Sequence, residues 1–196
     1  AVQQKREIPP TANVVATMRG ETYPDETIVL GCHHDAWGFG AADPTCGLIT
    51  LIEAARSLSE MRAQGWKPAR SIVFAAWGAE EMGIIGSSEW VESRRDKLER
   101  DGVMYINLDM ASMGPSFGSA ASPSVQGIVE EAMKRVPLAR DATRTVFDGW
   151  KAGGGGFGDL GGGSDHVGFL CHALVPSAAF GAGGAAGTSY HSIYGT

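Results

Sequence analysis

The sequence predicts an α/β fold of three layers, a mostly parallel central sheet with helices on both faces. Three observations carry that expectation. Short apolar runs alternate along the chain with amphipathic helical patterns. One of those runs, RSIVFAAW (70–77), is almost continuously apolar, as a strand covered on both faces must be. No internal repeat and no linker divides the 196 residues, enough for one domain with a sizeable core.

Taken in order, NVVATMRG (13–20) and ETIVLGCHHD (26–35) read as two strands joined across a turn at YPDE. Over 45–64, Leu48, Leu51, Ile52, Ala55 and Leu58 recur at helical spacing and form one apolar stripe. GWKP (65–68) ends that helix, and the strand 70–77 follows. SSEWVESRRDKLERDG (87–102) reads as a polar-faced helix and VMYINLDM (103–110) as a strand. SPSVQGIVEEAMKRV (122–136) has a serine near its start and an amphipathic pattern, which predicts another helix. TRTVF (143–147) and ALVPSAAF (173–180) read as strands, with SDHVGFLCH (164–172) as a helix before the second. The glycine-rich stretches GGGGFGDLGGG (153–163) and GAGGAAG (181–187) read as loops.

Composition narrows the function classes. Hydrophobic residues make up 43% and charged residues 19%, a globular and not a disordered balance. A net charge of −6 gives no electrostatic footprint for nucleic acid or an anionic membrane. No apolar run approaches the ~20 residues that span a bilayer. AVQQKREIPP has no apolar core behind its charges, so it does not read as a secretory signal. The three cysteines, Cys32, Cys46 and Cys171, include no CxxC pair and read as free or buried thiols.

The chemistry-bearing residues sit where the predicted strands end. His33 and Asp35 close one strand, Glu80 and Glu81 follow the next in WGAEEMG, and Asp109 closes a third. Asp43 lies in the loop after His33, and His191 in the last loop. In open α/β sheets, ligands gather beside the carboxyl ends of the strands, so all seven could share one rim. Each alone has a plainer reading: an EE pair as a solvated helix start, Asp43-Pro44 as an ordinary helix-start turn, Asp109 as a cap, His191 as a solvated loop histidine. Together, His33, Asp43, Glu81, Asp109 and His191 make the number and mix that two adjacent divalent metals need, two terminal ligands each and one bridging carboxylate. On a strand, His33 and Asp35 would share a face, letting Asp35 accept the imidazole's second N–H. His34 would point the other way, as a core or surface histidine with a local hydrogen bond.

GCHHDAWGFGAADP (31–44), FAAWGAEEMGIIGSSEW (74–90), YINLD (105–109), LGGGSD (160–165) and YHSIY (190–194) occur together and in order. In these motifs the chain resembles the catalytic domain of the co-catalytic dizinc exopeptidase family that includes glutamate carboxypeptidase II, its bacterial relatives and the transferrin receptor. The resemblance runs from about residue 12 to the C-terminus and implies the zinc aminopeptidase/carboxypeptidase-like version of the three-layer fold. It implies two zinc ions per chain, one held by His33 and Asp109, the other by Glu81 and His191, with Asp43 bridging. Glu80 would be the general base that takes a proton from a metal-bridging water and passes it to the leaving amine. Tyr190 matches a tyrosine that contacts substrate or the tetrahedral intermediate.

The implied activity is hydrolysis of a terminal peptide bond. The competing expectation is a catalytically inactive binding module like the transferrin receptor, or an incomplete catalytic fragment; hydrolysis of a non-peptide amide on the same site is a third. A degenerate receptor is expected to have lost ligands, and here all five and the base are present. Where glutamate carboxypeptidase II carries an arginine-rich patch, this chain reads SAAFGAGG (177–184), so a preference for acidic substrates is not supported. No lysine or arginine follows Lys151, which leaves a substrate C-terminal carboxylate without a clamp in the late loops. Asp159 or Asp165 could instead face a free N-terminus, although a brace for the 164–172 helix is the better reading of Asp165. The balance leans slightly to aminopeptidase. By resemblance, residues 1–196 form a single catalytic domain without the family's N-terminal elements, protease-associated domain and dimerisation domain. A homodimer in a full-length form and an extracytoplasmic location are further expectations from the same source.

Overall fold

The computed structural model describes residue 3, residues 7–184 and residues 190–194. Among these, six strands form one sheet: β1 (Val14–Met18), β2 (Tyr23–His33), β3 (Arg70–Trp77), β4 (Gly102–Asn107), β5 (Ser116–Ala121) and β8 (Ser177–Gly183). Their order is β1-β3-β2-β4-β8-β5. The four central strands are parallel, while β1 and β5 lie antiparallel at the edges. A two-stranded ribbon of β6 (Pro137–Leu138) and β7 (Asp141–Thr145) stands apart. The α/β layered reading therefore holds.

Alternation along the strands assigns the two faces. Val29, Val73, Ala75, Trp77 and Tyr105 point to one side, where α2 (Ile85–Glu92), α3 (Arg95–Asp101) and the helical turn Gly168–His172 cover them with Val91, Leu98 and Phe169. Phe74, Met104, Ile106 and Ala178 point to the other. There α1 (Gly47–Ala63) brings Leu48, Leu51, Ala55 and Leu58, four of the five residues of the predicted stripe; the fifth, Ile52, is 57% exposed. α4 (Pro123–Met133) adds Val125, Val129 and Met133, and α5 (Val146–Ala152) adds Trp150.

Several elements differ from the sequence reading, each for a local reason. YPDE is not a turn: β2 begins at Tyr23, the chain reverses just before it, and β1 pairs with β3 instead of β2. The helix expected over 87–102 is two, broken at Ser93–Arg94, where Arg94 leaves helical geometry. TRTVF splits between β7 and α5, because Thr145 caps the helix: its Oγ1 accepts from the Asp148 N–H while Asp148 accepts the Thr145 N–H. SFGSAA is a strand although its glycine and serine give no strand signal; it is β5, held at the edge by β8. Gly181–Gly183, expected in a loop, belong to β8, while 185–187 lie outside the described residues. All three cysteines are free thiols, Cys32 buried and Cys171 exposed.

Candidate metal centre

The parallel strands β2, β3 and β4 end side by side, and the connections that leave them form the site. β2 delivers His33 as its last residue, with its side chain 1% exposed. After Gly40, in left-handed conformation, the chain makes a distorted turn over Ala41–Cys46 that places Asp43 beneath the rim; its peptide bond to Pro44 is cis. β3 runs out at Trp77, and the tight turn that follows carries Glu80 and Glu81. β4 stops at Asn107, and Asp109 follows two residues on, just before Met110 at φ 54°. His191 stands in the last described segment, also at positive φ.

These residues converge. His33 Nε2 lies 2.9 Å from Asp43 Oδ1 and 3.3 Å from Asp109 Oδ1. His191 Nε2 lies 2.8 Å from Asp43 Oδ2 and 3.0 Å from Glu81 Oε2. Two clusters result, His33–Asp43–Asp109 and Asp43–Glu81–His191, each with its ligand atoms within 4.8 Å of one another. Asp43 belongs to both and turns one oxygen to each histidine. His33 Nε2, Asp43 Oδ1 and Asp109 Oδ1 are buried without a hydrogen-bond partner despite their closeness. Buried polar atoms are rarely left so, and these are directed at a shared point more than at each other. Imidazole nitrogens and carboxylate oxygens in this arrangement fit zinc. The site residues therefore meet the test that a divalent metal sets.

Glu80 lies in neither cluster. Its Oε2 is 4.0 Å from His33 Nε2, beside the ligand atoms and 10% exposed. The adjacent glutamates are thus in different positions: Glu81 is among the ligand atoms, and Glu80 overlooks them.

The sequence expectation for Asp35 needs correction. His33 Nδ1 meets the backbone carbonyl of Asp35 at 2.9 Å, while the carboxylate stands off at 3.6 Å. β2 has already ended at His33, so strand alternation no longer aims the Asp35 side chain. A carbonyl can only accept, so Nδ1 carries the hydrogen and Nε2 is the nitrogen available to a metal. The Asp35 carboxylate instead accepts the backbone N–H groups of Glu80 and Glu81, at 3.0 and 3.1 Å. It pins the turn that presents both glutamates. His34 points away, as expected, with Nε2 2.8 Å from the Ala12 carbonyl. Tyr190 is 56% exposed, its ring stacked on His191 with centroids 3.8 Å apart.

Electrostatics follow from this crowding of acids. Burial pulls the His33 imidazole down, but the Asp109 and Asp43 carboxylates beside it outweigh that and raise it to about 11. For Asp43, burial works upward, and the two histidines overcome it to hold the carboxyl low. Glu80 is pushed up to about 7 by burial, with Asp165, Asp109 and Glu81 adding to the shift against the pull of His33. Glu81 is raised by burial and by Asp43. In the metal-free protein a proton on His33 thus stands in for the cation.

Three further residues lie inside the quoted motifs YINLD and LGGGSD, and of these the sequence reading gave a role only to Asp165, as a brace. Ser164 donates to Asp109 Oδ2 at 2.9 Å, and Asn107 Nδ2 donates to Ser164 at 2.9 Å. Asp165 is fully buried and accepts from Ser87 Oγ at 2.6 Å, joining the segment before the 168–172 turn to α2. It braces that segment against a neighbouring helix, and burial pushes its carboxyl up to about 7. Asp159 is exposed. Membership of those motifs, and for Ser164 and Asp165 the adjoining glycine run, were the available signals.

Asp43 is thus shared by two groups of residues that could each hold a metal ion, at the carboxyl ends of parallel strands, where sheets of this kind gather ligands. Residues 13–196 match the model of peptidase family M28, and the chain belongs to that family. It is 40% identical over 191 residues to the probable glutamate carboxypeptidase LAMP1 of Arabidopsis thaliana, covering 93% of this chain and 27% of that protein. It is 35% identical over 152 residues to the aminopeptidase NAALADL1 of Mus musculus, covering 76% of this chain and 20% of that one. The chain therefore spans about a quarter of the length of such relatives. Among solved structures, the zinc aminopeptidase BSAP of Bacillus subtilis shares the fold, with a TM-score of 0.67 at 23% identity over 94% of this chain and 44% of that one.

Proposed function

We propose that this chain is the catalytic domain of a zinc-dependent exopeptidase that hydrolyses a terminal peptide bond. The observation that carries the reading is the sharing of Asp43 between two ligand clusters, with Glu80 Oε2 4.0 Å from His33 Nε2 and part of neither. His33, Asp109 and Asp43 would hold one zinc ion, and Glu81, His191 and Asp43 the other. Bound zinc supplies a Lewis acid for the scissile carbonyl and lowers the pKa of the attacking water toward ~7. The chain's own residues do the rest. Glu80 takes the proton of the attacking water and returns it to the leaving amine, a task suited to a carboxyl near neutrality. Asp35 fixes Glu80 by holding its backbone N–H. Tyr190 would donate to the oxyanion, a role its exposure and its stacking on His191 support.

The reading leans to an aminopeptidase. No lysine or arginine follows Lys151 to clamp a substrate carboxylate. The test is a panel of peptides with free and blocked termini, digested by zinc-loaded protein and read by mass spectrometry. Loss of one residue from free N-termini is expected. Cleavage confined to free C-termini would reverse the lean, and no cleavage of any peptide would return the chain to the inactive-module reading. Glu80→Gln should keep its zinc and lose about 10²–10⁴-fold in rate; undiminished turnover would remove Glu80 from its role.

A further inference from the structure

Behind Asp109 runs a chain of buried polar groups that the proposed reaction does not use. Trp77 Nε1 donates to Tyr105 Oη at 3.1 Å, and Tyr105 Oη donates to Asn107 Oδ1 at 3.1 Å. Asn107 Nδ2 donates to Ser164 Oγ, which donates to Asp109 Oδ2, both at 2.9 Å. Trp77 and Tyr105 are fully buried, and Asn107 and Ser164 nearly so.

We infer that Tyr105 is a positioning residue for the Asp109 half of the metal centre, acting through Asn107 and Ser164. This rests on Asp109 being a metal ligand, as proposed above.

The direction of the chain is fixed at its far end. An indole N–H can only donate, so the Tyr105 hydroxyl accepts there and spends its single hydrogen on Asn107. That forces the Asn107 amide to present its oxygen to Tyr105 and its nitrogen to Ser164. Ser164 then accepts from Asn107, and its own single hydrogen goes to Asp109 Oδ2. Asp109 Oδ1, buried and without a partner, is the oxygen left facing His33. A tryptophan in the core thereby decides which carboxylate oxygen is offered to the metal.

The packing holds the relay in one geometry. The Tyr105 ring stacks on Phe169 with centroids 4.0 Å apart and planes 9° from parallel. Gly31 on the adjoining strand is a glycine for this reason: a Cβ there would fall well inside contact distance of both Trp77 Nε1 and Tyr105 Oη. Burial also raises the Tyr105 phenol well above its ordinary value, so it stays a donor. Removing that hydroxyl frees the Asn107 amide to turn its oxygen toward Ser164. The Ser164 hydrogen then goes to Asn107, and Asp109 Oδ2 is unpinned.

The test is stepwise zinc affinity by chelator competition on the full chain, for Tyr105→Phe, Ser164→Ala and the double variant. Each single variant should weaken one binding event about tenfold or more, within the range typical of groups that orient metal ligands. The other event should change less than about twofold. The double variant should be no weaker than Ser164→Ala alone, because both act on one path. Tyr105→Phe affinity equal to the parent's, or effects that add in the double variant, would overturn the inference; a packing role alone lowers melting temperature and leaves the two events in proportion. Should Tyr105→Phe not fold, Asn107→Ala removes the link between Tyr105 and Ser164, and the same selective weakening is expected of it. Asp109→Asn separates the underlying assumption: unchanged zinc affinity there would remove Asp109 as a ligand, independently of the relay.

Discussion

Lowering the pH should strip zinc from this protein far above the ordinary range of carboxylate protonation. The cause is His33, whose imidazole is raised to about 11 in the metal-free protein by Asp43 and Asp109 at 2.9 and 3.3 Å. Zinc must displace that proton to reach Nε2. Below the raised pKa, apparent affinity at the His33 half therefore falls tenfold per pH unit for the one proton displaced. At pH 7 the proton opposes binding by roughly 6 kcal/mol, four units at ~1.4 kcal/mol each. Between pH 8 and pH 6 the affinity should drop at least a hundredfold. Chelator competition across that range measures the slope. Calorimetry in two buffers of different ionisation enthalpy counts the proton, about one released per zinc at this half. A flat affinity from pH 6 to 8, with no buffer dependence in the heat, would refute the proton-for-metal exchange.

Further outcomes follow from the residues around the ligands. Asp35→Asn leaves one of the Glu80 and Glu81 amides without an acceptor, removing a charge-assisted hydrogen bond of about 1.5–3 kcal/mol. Its melting temperature should fall by several degrees and its turnover more than its zinc content; unchanged turnover would show that the turn is held by other means. Glu81→Gln should weaken zinc binding where Glu80→Gln does not, and equal zinc content in both would mean that the pair's roles are exchanged. Asp165 carries a stability prediction for the metal-free protein. Its folded pKa, about 7, lies above the ordinary 3.8, so its stabilising contribution is full below about pH 4 and is lost as pH rises through 7. Asp165→Asn does not titrate, so the variant should gain on the parent by up to about 4 kcal/mol between those limits. Denaturant midpoints of the two that run parallel from pH 4 to 8 would contradict a carboxyl raised by burial.

The clustered acids and histidines were legible in the sequence because metal chemistry demands unusual residues. His33, Asp43, Glu81, Asp109 and His191 are the types a divalent metal needs, and alternation of strands and helices placed them on one rim. The long patterned elements were legible for a related reason, since the α1 stripe and the β3 run record what buries them. What escaped depends on tertiary context. β5 is a strand because β8 lies beside it, and nothing in SFGSAA says so. The Asp35 carboxylate leaves His33 because β2 ends at His33, two residues too early for alternation to reach it, which only the backbone reveals. Asn107, Ser164 and Tyr105 are ordinary residue types whose meaning lies in a hydrogen-bond direction set by Trp77, distant in sequence from all three.

The measurement that bears most directly on the two-centre site is zinc per chain in the parent and in Asp43→Ala, by atomic emission after dialysis against zinc-free buffer. Asp43 is shared by both clusters, so the parent should retain close to two zinc ions and the variant should lose both together. A parent that holds none, or a variant that keeps two, would contradict a carboxylate-bridged pair.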